Sequence, residues 1–196
     1  PTKPLEMSLY KTPLASVAQI VAASDNTLLL WNGPYGKLLQ TVDISQPTEP
    51  ALTEWSAEKA SLQDMVVAGD YAYLLTDGLR IFSLADPAAP VEIGFLETEG
   101  RGVAVSGKLA FLGGEALHII DASDPADLKE VSHLVWPDSL VSVSAEGDFA
   151  YVVGQTRVPG ISSQNWLKVV DVSSAESPDE VSSMELPERP LDVKAS

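Results

Sequence analysis

The chain has 196 residues, of which 45% are hydrophobic and 20% charged, so it is long enough to bury a core and too apolar for a disordered protein. Its net charge of −16 argues against nucleic acid and anionic membrane surfaces as partners, because both require a basic face. The absence of cysteine excludes disulfides and thiolate metal sites, and no run reaches the roughly 18 apolar residues of a membrane span.

The chain starts at Pro1 without methionine and shows no basic-then-apolar signal segment. We therefore expect either a processed product or the ordered part of something longer.

A sequence repeat organises the whole chain. The stretch from Pro87 to Gly107 has a second copy in residues 1–23, and weaker copies start at Pro47, Pro125 and Ala175. Such self-similarity at a regular period is typical of repeat architectures.

Each full repeat contains four short apolar or alternating runs bounded by turn residues, which predicts four strands. In chain order the predicted strands are 18–23, 27–31, 37–44 and 51–55; 63–68, 71–76, 79–84 and 91–96; 102–106, 108–112, 116–122 and 129–135; 140–145, 148–153, 166–172 and 180–186. No window has a convincing helical period, so we predict an all-β protein.

About 40 residues per four-stranded unit is the dimension of a propeller blade. We therefore predict a β-propeller of four-stranded antiparallel blades, with blades at about 14–56, 62–98, 102–136 and 140–187. A half-repeat strand is expected at each end, at 5–10 and 190–196. Residues 1–196 are then a single propeller domain or a slice of a larger ring.

Two segments carry a family resemblance: V-A-V-S-G-K-L-A-F-L from Val103 to Leu112 and A-L-H-I-I-D-A-S-D-P from Ala116 to Pro125. They resemble the LVIVD repeat, and the likeness extends over essentially the whole chain, weakest between residues 18 and 61. The resemblance implies a propeller similar to those of bacterial and archaeal surface proteins, without catalytic residues, in an extracellular or cell-surface location. Ser83 replaces the usual aspartate and Ala175 the usual proline, which should weaken single turns.

The longest loop between a second and a third strand runs from Gly154 to Asn165. Insertions in repeats usually lie on one face, often the binding face. We therefore predict a ligand or partner patch formed by Tyr35, Arg101, Arg157, Gln164, Asn165, Trp166 and Arg189. The alternative is a tolerated surface insertion with solvated arginines.

Aspartates recur in the loops between third and fourth strands, where they are expected to accept backbone hydrogen bonds and set the turn. Asp121, Asp124 and Asp127 form the densest carboxylate cluster. His118 and His133 face each other across two strands if their hairpin is centred between Pro125 and Ala126. These five residues are weak metal candidates only, and we predict no metal and no cofactor.

No nucleophile, metalloprotease, phosphate-loop or dinucleotide motif is present in the sequence. The favoured function is a non-catalytic module for protein–protein interaction or assembly. Its expected partners are other protein chains or further propeller repeats, with homo-assembly through the terminal strands as one form. The rival is a small-ligand binder or enzyme at the mouth of the channel, which a pocket joining Asp64, Arg101, Arg189 and Asp192 would favour.

Overall fold

The computed structural model describes residues 19–24, 26–31, 39–46, 48–55, 62–86, 89–136, 139–156 and 164–195, and these contain four antiparallel four-stranded sheets. Each sheet is one blade with its strands in sequence order. Blade A has β1 (Gln19–Ser24), β2 (Thr27–Trp31), β3 (Leu39–Asp43) and β4 (Ala51–Trp55), and blade B has β5 (Asp64–Ala68), β6 (Tyr71–Leu75), β7 (Leu79–Ser83) and β8 (Val91–Leu96). Blade C has β9 (Gly102–Ser106), β10 (Leu109–Gly113), β11 (Ala116–Asp121) and β12 (Lys129–Val135), and blade D has β13 (Ser139–Glu146), β14 (Phe149–Thr156), β15 (Gln164–Asp171) and β16 (Asp179–Leu186).

The first hairpin of blades B, C and D turns on a glycine. Gly69, Gly107 and Gly147 have φ values of 58°, 58° and 57°, a left-handed conformation that costs other residues steric strain. These repeated turns fix the register of each inner hairpin. The part of the chain that the structure describes contains no helix long and apolar enough to cross a membrane.

The innermost strands β1, β5, β9 and β13 lie side by side, each in contact with the next. They surround a central cavity of about 510 Å³, the channel, whose wall includes Val103, Val105 and Val143. Sequence-consecutive blades with inner strands around an axis form a β-propeller, which confirms the predicted fold.

Successive blades bury their apolar faces against each other. Ile81 and Leu79 of blade B pack with Leu112 of blade C, and Phe111 of blade C packs with Val152 of blade D. All five of these side chains are fully buried, so the core lies between the blades. Because successive side chains of a strand point to opposite faces of the sheet, a strand packs apolar residues against the blade on either side of it.

The outer strand of blades B, C and D carries a β-bulge at the same place. The pairing skips Ile93 between β7 and β8, Val131 between β11 and β12, and Val181 between β15 and β16. A bulge adds one unpaired residue and twists the strand, which also makes an exposed sheet edge a poorer template for aggregation.

The C-terminal segment, residues 191–195, lies along β13 where the inner strand of a following blade would lie. The backbone N–H of Ala195 donates to Ser144 Oγ at 3.0 Å, and Ser142 Oγ donates to Asp192 Oδ1 at 2.7 Å. These contacts use serine side chains, so the segment has the predicted place but is not a strand of any sheet. The expected N-terminal half-repeat, residues 5–10, lies outside the described residues.

Candidate functional site

The loop aspartates are turn residues, as the sequence predicts. Asp43, Asp121 and Asp171 accept the backbone N–H two residues further on, at 2.7, 2.9 and 2.9 Å. Hydrogen bonds from the backbone and hydroxyl of Ser45 lower the pKa of Asp43, and Ser123 and Ser173 lower the pKa of Asp121 and Asp171 in the same way. Hydrogen bonds to a carboxylate stabilise its charged form.

The aspartate cluster of blade C does not converge on one point. Asp124 accepts the backbone N–H of Ala126, and Asp127 pairs with Lys129. Among the residues that the structure describes, no group of three or more histidine or carboxylate side chains has an arrangement suited to a metal ion.

The structure describes five of the seven residues of the predicted patch. Arg101, Gln164 and Arg189 are exposed, and Asn165 is half-buried and accepts a hydrogen bond from Gln155. Tyr35 and Arg157 lie outside the described residues, so the patch as a partner site stays a prediction.

Trp166 does not belong to an open patch. It is only 6% exposed and lies in the core between blades C and D, over Gly154, where a Cβ would stand 2.3 Å from its ring. The sequence placed this tryptophan beside a long loop, but the missing side chain at Gly154 lets the ring fold inward.

A cation–glutamate pair recurs on the outer strands of three blades. The pairs are Arg80–Glu92 at 2.8 Å, His118–Glu130 at 3.1 Å and Lys168–Glu180 at 2.9 Å. The partners are always 12 residues apart, and each cation lies on the third strand with its glutamate on the fourth. Sequence reasoning missed these glutamates, although this spacing is visible in the repeats.

In blades B and D, aromatic rings lie over the permanently charged partner of the cation–glutamate pair. The Arg80 guanidinium lies 4.3 Å from the centre of the Phe95 ring, and the Lys168 ammonium lies 5.3 and 5.2 Å from Trp136 and Trp166. A cation over a ring face is attracted by the π system. Blades B and D therefore each contain a cation held between a carboxylate and an aromatic ring, which we call the cation cradle.

In blade C, His118 takes the place of Arg80 and His133 takes the place of Phe95. His118 stands directly opposite His133 in the β11–β12 register, as the predicted hairpin requires. Both Nδ1 atoms approach the same oxygen, Glu130 Oε1, at 3.1 and 3.0 Å, and the two ring centres are 5.9 Å apart. The charge of this cradle therefore depends on imidazole protonation.

The cradle of blade C opens into a cavity of about 860 Å³ on the face that carries the loops from fourth to first strands, here called the upper cavity. Glu97, Glu99, Arg101 and Glu115 contribute to its wall, together with Trp136 and the three cradle residues His118, Glu130 and His133. Carboxylates outnumber the fixed cations of the wall, so the cavity favours positive ligands.

The channel is a separate site. Asp64 and Asp192 line it and form the same local bond, each accepting the backbone N–H of the following residue, Met65 or Val193. Arg101 lines the upper cavity, whereas Asp64 and Asp192 line the channel, and Arg189 is exposed.

The fold resembles solved propeller-like structures at low identity. A functionally unknown protein from Desulfotomaculum acetoxidans DSM 771 aligns with a TM-score of 0.55 and 11% identity, over 94% of this chain and 75% of that one. The N-terminal domain of Nup159 aligns with a TM-score of 0.59 and 12% identity, over 87% of this chain and 48% of that one. The chain thus spans about half of the Nup159 domain, and such identities show the fold alone. Among curated proteins none matches the sequence.

A family model assigns the repeats themselves. The LVIVD repeat model matches residues 36–55, 60–98, 99–134 and 140–185, one match for each blade and more than half of the chain. The last three matches span the sheets of blades B, C and D, and the first covers β3 and β4 of blade A. The chain therefore belongs to the LVIVD-repeat family.

Proposed function

We propose that this propeller is a non-catalytic module for protein–protein interaction or assembly in an extracellular or cell-surface protein. The observation that carries the proposal is an uncovered apolar face on blade D. Its residues Phe149, Val181, Ser182 and Met184, here called the open flank, are exposed, the three apolar ones by 39%, 51% and 54%.

The equivalent apolar positions of blades B and C are covered by the next blade. Ile93 and Leu96 of blade B pack on the core shared with blade C, and Val131 and Leu134 of blade C pack on the core shared with blade D. Val181 and Met184 occupy these two positions in blade D. Blade D therefore presents a face that in blades B and C meets the next blade.

The polar contact between blades supports the same conclusion. Ser132 of blade C donates to the carbonyl of Ala175 in blade D, and at the same position in blade B Gly94 lies against the carbonyl of Pro125 in blade C. Ser182 is the equivalent residue of blade D. The open flank thus offers both the apolar and the polar part of a blade-to-blade contact, which suits a partner with a blade-like face: a further repeat or a second copy.

Self-association of the purified chain tests this proposal. Sedimentation over a wide concentration range should show association that the double variant Val181→Glu, Met184→Glu abolishes, because charges would be buried in the interface. Val91→Glu is the matched control, since Val91 is 60% exposed on another outer strand. A chain that stays monomeric at all concentrations, or equal behaviour of both variants, would contradict assembly through the open flank.

The proposed location has a separate test. Protease added to intact cells should degrade an epitope-tagged form of the native protein if it is extracellular or at the cell surface. Full protection on intact cells, with degradation after lysis, would contradict that location.

A further inference from the structure

The cation cradle of blade C lacks the fixed cation that the cradles of blades B and D contain. Arg80 and Lys168 place permanent charges on Glu92 and Glu180. His118 has the equivalent place: it lies three residues before Asp121, as Arg80 lies three residues before Ser83 and Lys168 three before Asp171. Imidazole carries a charge only when it is protonated, so Glu130 lacks a permanent positive partner from within its blade.

The loop tryptophan that covers the cradle of blade D has no aromatic counterpart in the loop before blade C. In blade D, Trp136 from the preceding loop lies over Lys168 and donates its indole N–H to Glu180 at 2.8 Å. The corresponding loop before blade C supplies Glu97, Thr98 and Glu99, and these line the upper cavity. An aromatic cover is thus replaced by carboxylates around open space.

We propose that the upper cavity binds an alkyl ammonium or guanidinium group, which sits on Glu130 beside the His133 ring as Arg80 sits on Glu92 beside Phe95. The cavity of about 860 Å³ has room for such a group and its alkyl chain. Glu97, Glu99 and Glu115 strengthen the negative potential, and the net charge of −16 attracts cations from solution. The chemistry is shared by free polyamines and by lysine or arginine side chains of a peptide.

Protonation of the two histidines competes with the ligand. Both Nδ1 atoms lie within hydrogen-bonding distance of Glu130 Oε1, and a neutral imidazole in the Nδ1–H tautomer can still donate to it. A protonated imidazole adds a positive charge beside the carboxylate, which competes with the charge of a cationic ligand. The other charged groups of the wall are Glu97, Glu99 and Arg101 before β9 and Glu115 between β10 and β11. Imidazole is the side chain that gains a charge on mild acidification, so we expect ligand binding to weaken as the pH falls.

The decisive experiment measures binding of N-acetyl-arginine amide and spermidine by calorimetry at low salt and pH 8, with N-acetyl-citrulline amide as the neutral control. We expect the two cations to bind, the neutral analogue not to bind, and affinity to fall at least severalfold at pH 5.5. Tighter binding of the amide identifies a peptide side chain as the source, and tighter binding of spermidine identifies a free polyamine.

Three variants localise the site. Glu130→Gln should weaken binding about tenfold to hundredfold, the usual effect of losing a charged hydrogen bond, and His118→Arg should abolish binding by supplying the internal cation. Glu92→Gln, the matched change in the filled cradle of blade B, should leave affinity unchanged. Circular dichroism tests whether each variant is folded. If Glu130→Gln does not fold, the loss of binding in His118→Arg is the result that tests the site.

Three results would overturn the proposal. They are no binding of either cation, equal binding of the neutral citrulline analogue, and equal losses in Glu130→Gln and Glu92→Gln. The last would mean that general acidity, and not this cavity, attracts the probes. The open flank of blade D takes no part in these measurements, so they can fail while assembly through that flank remains intact.

Discussion

At the scale of single residues, the repeat shows how much one side chain decides. In blades A, C and D an aspartate accepts the loop N–H at 2.7–2.9 Å, whereas in blade B the hydroxyl of Ser83 accepts the N–H of Ala85 at 3.3 Å. The other departure, Ala175, leaves its turn intact, because Ser177 still donates to the carbonyl of Ser174 at 3.0 Å. The weakened turn is therefore that of Ser83.

Ser83→Asp should stabilise the protein at neutral pH. A carboxylate accepts the N–H of Ala85 better than a hydroxyl does, and we expect the melting temperature to rise by about 1–2 °C, with Ser83→Ala lowering it. The measurement is thermal unfolding followed by circular dichroism at pH 7. An unchanged or lower melting temperature for Ser83→Asp would show that the turn gains nothing from the aspartate.

The same reasoning gives a pH dependence. The pKa of Asp43, Asp121 and Asp171 is lowered in the folded chain by hydrogen bonds from the following serines. A lowered pKa contributes stability that is fully present above the unfolded value, about 4, and is lost as pH falls through the folded value. The stability gained by Ser83→Asp should therefore be lost as the pH falls below about 4. Melting curves of the variant and the parent chain at about pH 7 and at several pH values below about 4 measure this loss.

At the scale of elements, the cation cradles show how one supersecondary unit is adapted. The bulge in the outer strand places the glutamate on the same face of the sheet as the cation. The strength of the pair then depends on which groups shield it from water. Glu180 receives both Lys168 and the indole N–H of Trp136, whereas Glu92 pairs with a partly exposed Arg80 that Asp77 also holds. Burial disfavours the charged guanidinium, but the bond and charges of Asp77 and Glu92 outweigh it and raise the pKa of Arg80.

Glu180→Ala should therefore destabilise the protein more than Glu92→Ala. Loss of Glu180 leaves a half-buried ammonium and a half-buried indole N–H without their acceptor, a cost of about 1–3 kcal/mol, whereas a partly exposed ion pair is worth about 0–1 kcal/mol. Denaturant unfolding of both variants measures the two free energies. Equal losses of unfolding free energy in the two variants would contradict a larger contribution from the cradle of blade D.

At the scale of the whole molecule, the C-terminal segment occupies the place beside β13. Residues 192–195 lie there and line the channel with β1, β5, β9 and β13. Asp192 bonds to β13 through Ser142, and Asp64 accepts the N–H of Val103 on β9 at 2.9 Å. An aspartate thus links β5 to β9, and another links the C-terminal segment to β13.

Removal of residues 188–196 should cost stability well beyond the trimming of a frayed tail. It uncovers β13 and removes the Ser142 and Ser144 contacts, and we expect the melting temperature to fall by about 5 °C or more. Asp192→Ala should reproduce part of the fall with the backbone in place. Identical melting temperature and oligomeric state for the full and truncated chains would show that the segment contributes neither to stability nor to assembly.

The sequence alone determined the strands, their order and the blades. Alternating apolar residues, the glycine hairpin turns and the period of about 40 residues are local properties, so they are readable without coordinates. The pairing of His118 with His133 also followed from the hairpin, since register depends on the turn and on the period of two.

Only the tertiary structure decided which side chains meet between blades. Trp166 is in the core because Gly154 leaves it room, and Glu130 faces two histidines because a bulge shifts the outer strand by one residue. The upper cavity exists because the loop before blade C brings carboxylates where the loop before blade D brings Trp136. Such contacts join residues of different blades, and a local sequence pattern does not encode how closely two blades approach.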